Sequence, residues 1–361
     1  MSFILIVANS GRMLAQAAAQ AGLQALVIDM FADVDTRQNA VTVRKITSLA
    51  IDHLKPALDQ IMLCYGVTEV IYGSGLEYYP DSLAYLAGRL TVLGNSPAVF
   101  GALQNKPAFF SALTELAIPH PETVFKTPKQ AEGWLLKPWQ GLGGIGIRRY
   151  RSGQDVDESV YWQKEQPGTA CSALFLADGQ NMQIVGFNKQ WTVGLLGTTE
   201  FVFAGIMNSC ALDERSKIRL TDWLHKLVPR FGLTGLNSLD FMQAGHSSYV
   251  LEINARPPAG LQLYAADLLG SHIKACQGNM PAEIAAQVGV AGYQIIYAQR
   301  QISIPEGFVW PDWCMDLSEP GVLIHTGQPI CSIIAREMQS QQVLALLTIR
   351  EHELIKQFER C

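Results

Sequence analysis

The sequence predicts a chain of mixed α/β and α+β class: a Rossmann-like first domain, a two-lobed middle and a small β-rich C-terminal region. Three observations carry this prediction. Residues 1–98 alternate apolar strands with helices across short turns, the pattern of a parallel sheet with crossover helices. A glycine-rich loop at residues 141–146 is followed by a strand pattern and lacks a helical start. Near residues 237–255, two strand patterns flank a turn-like Ala244-Gly245-His246-Ser247-Ser248 and carry carboxylates at matched positions.

The elements follow in order. Phe3–Val7 is a strand, Met13–Ala21 an Ala-rich helix stopped at Gly22, and Leu26–Asp29 a second strand. A longer helix is expected over Ile46–Tyr65, a strand at Val70–Tyr72, a turn at Gly73-Ser74-Gly75, a helix at Asp81–Gly88 and a short strand at Val92-Leu93. Asn95-Ser96-Pro97 marks a boundary, so the first domain covers residues 1–98. Residues 99–165 form a small lobe with the helix Pro107–Ala117 and the strands Trp134–Pro138 and Ile145–Tyr150 around the glycine loop. Residues 166–280 form a larger lobe, with a helix near Ser216–Phe231, the 237–255 hairpin and a helix from about Gly260. Residues 281–361 read as β-rich, with strands at Tyr293–Ala298, Val322–Thr326 and Ile330–Ala335. No internal repeat or low-complexity segment interrupts the pattern.

Composition bounds the function. The chain has 361 residues, 48% hydrophobic and 16% charged, enough apolar material for a sizeable core. A net charge of −5 gives no basic footprint for nucleic acid or anionic lipid. The seven cysteines are widely spaced with no CxxC pair, the pattern of reduced, mostly buried cytosolic thiols. Scattered histidines without HExxH argue against zinc. The opening apolar run is too short for a signal peptide or a span of roughly 20 residues, so a cytoplasmic protein is expected.

Two constellations carry the chemistry. In Lys137-Pro138-Trp139-Gln140-Gly141-Leu142-Gly143-Gly144-Ile145-Gly146, four glycines free backbone N–H groups to approach phosphate oxygens. Strand, loop, strand describes a flap over a nucleotide and differs from a dinucleotide turn, which opens a helix. Taken alone the loop is equally a glycine hairpin without a ligand. Lys137 ends the preceding strand and Lys106 opens a helix 31 residues upstream, so two lysines bracket the flap. In the second constellation, a hairpin centred on His246 sets Asp240 opposite Glu252, with Cβ atoms about 4.5–5.5 Å apart. Asn254 shares that face. Two carboxylates and an amide oxygen suit a hard cation, Mg²⁺ foremost. The alternative is a structural ion cluster with a cation between the carboxylates, for which Arg256 is the nearest candidate. Tyr161-Trp162-Gln163-Lys164-Glu165-Gln166-Pro167-Gly168 reads as a short strand and a hinge suited to an adenine edge, and equally as an ordinary strand and turn.

In this order the segments resemble the ATP-grasp superfamily, which includes biotin carboxylases, D-alanine–D-alanine ligases and purine-synthesis carboxylases. Asn105-Lys106 with Ile118-Pro119 and Pro121-Glu122-Thr123 is similar to its opening, although Ala117 stands where glycine is usual. Lys137-Pro138 with Gly141, Gly143, Gly144 and Gly146 is similar to its phosphate lysine and flap. Gln163-Lys164-Glu165-x-Pro167-Gly168 resembles its hinge, and Asp240 with Glu252-x-Asn254-x-Arg256 its metal strand. The resemblance implies ATP bound with Mg²⁺ (or Mn²⁺): Lys106 and Lys137 on the phosphates, Gly141, Gly143 and Gly144 over them, Gln163 and Glu165 at the adenine hinge, and Asp240, Glu252 and Asn254 on the metal. Lys137 and Arg256 would be catalytic. No acid stands near Ala170-Cys171-Ser172 to grip the ribose, and Ser238 occupies a position where many ligases carry arginine. The implied reaction is ATP-dependent activation of a carboxylate as an acyl phosphate, attacked by an amine. The resemblance is nearest to the carboligase-like group, some of whose members ligate amino acids during cofactor synthesis. Bicarbonate as the activated acid, or a non-catalytic nucleotide-binding protein, are the alternatives. A nicotinamide oxidoreductase would need Gly-x-Gly-x-x-Gly after the first strand, and Ala8-Asn9-Ser10-Gly11 does not supply it. The expected partners are small-molecule carboxylates and amines, without nucleic acid or membrane; a homodimer is compatible with the reading.

Overall fold

The computed structural model of the protein describes residues 3–195 and 199–360. Its first part alternates as expected: β1 (Phe3–Val7), α1 (Arg12–Gln20), β2 (Gln24–Asp29), α2 (Val34–Gln38), β3 (Thr42–Lys45), α3 (Ile51–Tyr65), β4 (Glu69–Tyr72), α4 (Pro80–Ala87) and β5 (Thr91–Val92). The strands pair in parallel in the order β3-β2-β1-β4-β5. Near-continuous apolar runs such as Ile4-Leu5-Ile6-Val7 are buried on both faces, as a parallel sheet requires. Two elements missing from the sequence reading are α2 and β3, both short and polar. The helix expected over Ile46–Tyr65 begins only at Ile51.

The next unit comprises α5 (Pro97–Gln104), α6 (Lys106–Glu115), β6 (Thr123–Val124), β7 (Trp134–Pro138), β8 (Arg148–Arg149) and β9 (Val160–Lys164), with the sheet order β6-β9-β7-β8. Ser96 caps α5 by accepting the Val99 N–H, and Asn105 caps α6 by accepting the Ala108 N–H. The strand expected over Ile145–Tyr150 shrinks to Arg148–Arg149, because the glycine loop extends through Ile147 as turns.

The third unit begins with β10 (Thr169–Asp178), β11 (Met182–Leu195), β12 (Thr199–Met207), α7 (Glu214–Phe231), β13 (Thr234–Ala244), β14 (Ser247–Asn254) and α8 (Leu268–Cys276). It ends with β15 (Val290–Tyr297), β16 (Ile302–Ser303), β17 (Cys314–Met315), β18 (Leu323–Ile324), β19 (Pro329–Glu337) and α9 (Ser340–Arg360). An eight-stranded sheet runs β14-β13-β10-β11-β12-β15-β19-β17, so β15, β19 and β17 extend the sheet of the larger lobe, while β16 and β18 pair in a separate two-stranded sheet. The helix expected from Gly260 is a 3₁₀ turn, Ala259–Leu263, followed by α8. The C-terminal region corrects the expectation of β structure to the end: its last 21 residues up to Arg360 are helix α9. Val343, Leu347 and Leu354 on one face of α9 are buried in a core shared with Ile296 and Ile333 of the sheet.

The thiol expectation is also corrected in part. Cys171 and Cys210, 39 residues apart, are joined as a disulfide, while Cys64, Cys276, Cys314 and Cys331 are free. Among the described residues no helix is long and apolar enough to cross a membrane.

Candidate functional site

The hairpin β13–β14 brings the two carboxylates together. Asp240 pairs directly with Glu252, and Ser238 with Asn254. The sequence argument centred the hairpin on His246, whereas Ala244 lies opposite Ser247, which moves the centre half a residue toward Gly245. A β-bulge at Leu251 then shifts the register and restores the Asp240–Glu252 match. The bulge was not legible in the sequence.

The two carboxylates titrate in opposite directions. Burial, with the facing Glu252 charge next, pushes Asp240 up to about 7. For Glu252, burial acts upward but is outweighed by Lys106, Lys137 and Arg256, which hold it below the usual range. Between them the pair therefore carries one charge readily and the second only near neutrality. The Ser238 hydroxyl donates to Asp240 Oδ1 at 3.2 Å and Asn254 Nδ2 to Asp240 Oδ2 at 3.0 Å.

The cations that answer these charges come mainly from the small lobe. Lys106 Nζ lies 3.7 Å from Glu252 Oε2, and its side chain is nearly buried. Its place at the first residue of α6 sets a cation at the positive end of a helix, a local cost of roughly 0.3–1 kcal/mol. Lys137, at the end of β7, donates to Gln163 Oε1 at 3.1 Å. Burial lowers its pKa, Glu252 opposes this, and Lys106 adds to the lowering. The lysines thus fill the role that the sequence reading offered to Arg256 as counter-ion. Arg256 is otherwise engaged: its Nε donates to Glu77 Oε1 at 2.5 Å and its Nη2 to Asn254 Oδ1 at 3.2 Å. Asn254 sits on the expected face, but its oxygen accepts from Arg256 and its amide N–H groups point to Asp240.

The flap is folded down on the larger lobe. Gly143, Gly144 and Gly146 have φ of 59°, 75° and 83°, the left-handed region that favours glycine. The Phe203 N–H donates to Gly143 O at 2.8 Å, and a Cβ on Gly144 would collide with the Phe201 carbonyl oxygen. Gly141 has open space around it. Arg149 fastens the edge of the flap, pairing with Glu165 at 2.6 Å and with Glu200, and lying over the Phe201 ring. Glu165 is therefore an ion-pair partner of the flap. Gln163 is almost fully buried and its amide is shared between Lys137 and Thr123 Oγ1.

Comparison with known proteins adds to this geometry. Residues 103–260 match the family model described as the ATP-grasp domain. This segment is similar to the ATP-grasp domain. An uncharacterized protein of Methanocaldococcus jannaschii is 21% identical over 261 residues, spanning 68% of this chain and 64% of that protein, less than two thirds of its length. Biotin carboxylase from Campylobacter jejuni, solved with a β,γ-ATP ligand, superimposes with a TM-score of 0.74 at 15% identity, covering 95% of this chain and 89% of that one. L-amino acid ligase from Bacillus licheniformis superimposes with a TM-score of 0.73 at 13% identity, covering 99% and 97%. At these identities the likeness is one of fold: a mixed α/β architecture with a parallel sheet and antiparallel sheets.

Lys106, Lys137, Asp240, Glu252, Asn254 and Arg256 form one connected cluster drawn from both lobes, with the flap docked on the larger lobe. The sequence reading missed Glu77, a buried residue of the first domain 179 positions from Arg256. Its one local signal is the Gly73-Ser74-Gly75 turn, whose Gly75 N–H donates to Glu77 Oε2 at 2.6 Å. Nor was Ser172 singled out; it lies opposite Asp240 on β10 and accepts from Asn188 Nδ2 at 3.3 Å.

Proposed function

We propose that the protein is an ATP- and Mg²⁺-dependent, ADP-forming carboxylate–amine ligase. One observation carries the reading: Lys106 and Lys137 from one lobe converge on Asp240 and Glu252 of the other, in a domain whose glycine flap is docked across the two. Asp240 and Glu252 fit a divalent cation, because burial, with the facing Glu252 charge next, holds Asp240 partly protonated near pH 7 and a cation favours its charged form. These two residues would hold Mg²⁺, with Asn254 beside them. When bound, Mg²⁺ neutralises phosphate charge as ATP is broken.

The chain's residues would act by positioning and charge. Lys106 and Lys137 take the phosphate oxygens, and the flap backbone N–H groups cover them and exclude water. A substrate carboxylate oxygen attacks the γ-phosphorus in line, the bond to the β,γ-bridging oxygen breaks, and ADP leaves. A neutral amine then attacks the acyl carbon, the C–O bond to phosphate breaks, and the amine loses a proton. Arg256, held by Glu77, keeps a fixed positive charge beside this path. The likeness in fold to an L-amino acid ligase is consistent with a carboxylate and an amine as substrates.

The test is product analysis with Mg-ATP and a panel of carboxylates, with hydroxylamine in place of the amine. ADP, phosphate and a hydroxamate are expected. AMP and pyrophosphate would exclude the acyl phosphate route, and acceleration by bicarbonate without response to any amine would make the protein a carboxylase. Absence of ATP turnover with every acid would leave a nucleotide-binding protein.

A further inference from the structure

A charged cluster closes the rim of the glycine flap and takes no part in the chemistry proposed above. Arg149 stands in β8, just after the flap, and about half of its side chain is exposed. Its guanidinium grips Glu165 bidentately: Nε donates to Oε2 at 2.9 Å and Nη2 to Oε1 at 2.6 Å. The third nitrogen, Nη1, donates to Glu200 Oε2, and the guanidinium carbon lies 5.1 Å from the centroid of the Phe201 ring. Glu165 follows β9 in the hinge, whereas Glu200 and Phe201 belong to β12 of the larger lobe. One arginine thus joins hinge, flap edge and opposite lobe.

An isolated exposed ion pair contributes little, because water screens it and two long side chains lose freedom. Three features set this cluster apart: bidentate geometry, two carboxylates on one cation, and an aromatic ring against the guanidinium. What it holds in place is also defined. The Phe203 N–H donates to Gly143 O at 2.8 Å, and Gly144 lies against the Phe201 carbonyl with no room for a Cβ. Arg149 therefore grips residues 200 and 201 of the same strand on which the flap docks through residues 201 and 203. Those docking contacts are neutral and the grip is charged, so ionic strength acts on one and spares the other.

We propose that Arg149 is a positioning residue for the flap: with Glu165 and Glu200 it forms a charge clasp that keeps the glycine loop docked on β12 and sets how fast a nucleotide leaves the cleft. The second half of this proposal rests on the nucleotide-binding part of the ligase reading. Arg149 itself touches no substrate in this arrangement. Arginine keeps its proton near neutrality, so salt is the lever that loosens the clasp there.

The experiment is amide hydrogen exchange on the full chain, followed by mass spectrometry over residues 141–147 and Phe203, at about 0.1 M and about 1 M KCl. That change shortens the screening length from roughly 10 Å to roughly 3 Å. Expected is exchange about three- to tenfold faster in high salt, the scale of two exposed ion pairs. Arg149→Gln should exchange at the fast rate already in low salt and respond little to more. Arg149→Lys keeps the charge without the fork and should fall between the two. A side chain that served only packing would not follow this order. In parallel, release of Mg²⁺-bound N-methylanthraniloyl-ADP is chased with unlabelled ADP, and should be about three- to tenfold faster from Arg149→Gln. Salt-independent exchange in the wild-type chain overturns the clasp with no variant needed. So does Arg149→Lys that behaves as Arg149→Gln. Unchanged nucleotide release from a variant whose flap exchanges faster overturns the gate. No nucleotide binding at all, together with salt-responsive exchange, would refute the ligase reading and its gate while supporting the clasp.

Discussion

At the scale of single residues, opposite titration of two facing acids gives opposite consequences for mutating them. The surroundings of Asp240 disfavour its charge, while the lysines favour the charge of Glu252. Without metal at pH 8, Asp240→Asn should therefore raise the melting temperature and Glu252→Gln should lower it, as read by thermal unfolding. On the proposed function both should lose Mg²⁺-dependent ATP turnover by roughly 100-fold or more, since each removes a charged group of the proposed metal site, worth several kcal/mol of charge stabilisation. Retained turnover in Glu252→Gln would remove that residue from the site. The pH dependence follows with its sign. A carboxyl raised from 3.8 to about 7 is protonated in the folded chain while still ionised in the unfolded one. Its contribution therefore falls as pH rises through that window, and metal-free stability should decline between about pH 4 and pH 7. Mg²⁺ competes with the same proton, so its apparent affinity should climb from pH 6 to pH 8, measurable by titration at fixed ATP. The Asp240–Glu252 match expected from a hairpin centred on His246 holds because the bulge at Leu251, which the sequence does not reveal, offsets the half-residue error in that centre. Glu77 was not legible, because only the fold brings it to Arg256.

The elements add a test of the flap. Gly144 combines φ of 75° with a close approach to the backbone of Phe201, whereas Gly141 has neither constraint. Gly144→Ala should prevent docking on β12, raise KM for ATP by about tenfold through loss of positioning, and expose the loop to proteolysis. Gly141→Ala should leave both unchanged, and equal behaviour of the two variants would argue against docking as the working state. At the other end of the chain, Leu347 of α9 is buried against the sheet, and Leu347→Ala should cost about 2–5 kcal/mol by denaturant unfolding. Strands β1, β2, β4 and β5 of the first sheet were legible because buried parallel strands leave apolar runs, whereas the short polar β3 leaves none. Helix α9 was overlooked because Val343, Leu347 and Leu354 hold helical spacing on one face only and follow a strand-rich stretch. The Cys171–Cys210 pair was equally hidden, since a separation of 39 residues does not reveal that the connection after β12 meets β10.

For the whole molecule, ligand binding is the broadest check. Mg-ATP at 100 times its Kd should add roughly 2.7 kcal/mol to stability, and a melting shift with NADPH but none with Mg-ATP would contradict the nucleotide assignment. The join between the first sheet and the rest has a further consequence. Asn95 is completely buried; its side chain donates to Asn237 Oδ1 at 2.8 Å and accepts the Thr234 N–H at 2.9 Å. The Tyr72 hydroxyl reaches the carbonyls of Asn95 and Ala255, and His272 reaches that of Leu93. What reads in sequence as a linker is thus interior. Exchange of the first hundred residues for those of a protein of similar fold would strand buried amides and the Arg256 charge, so any such chimera has to inherit its partner surface along with the swapped block. Divergence of the two parts is correspondingly tied: a change at Asn95 or Glu77 must be answered near Asn237 or Arg256, and new substrate preferences arise more readily in the loops than by trading domains.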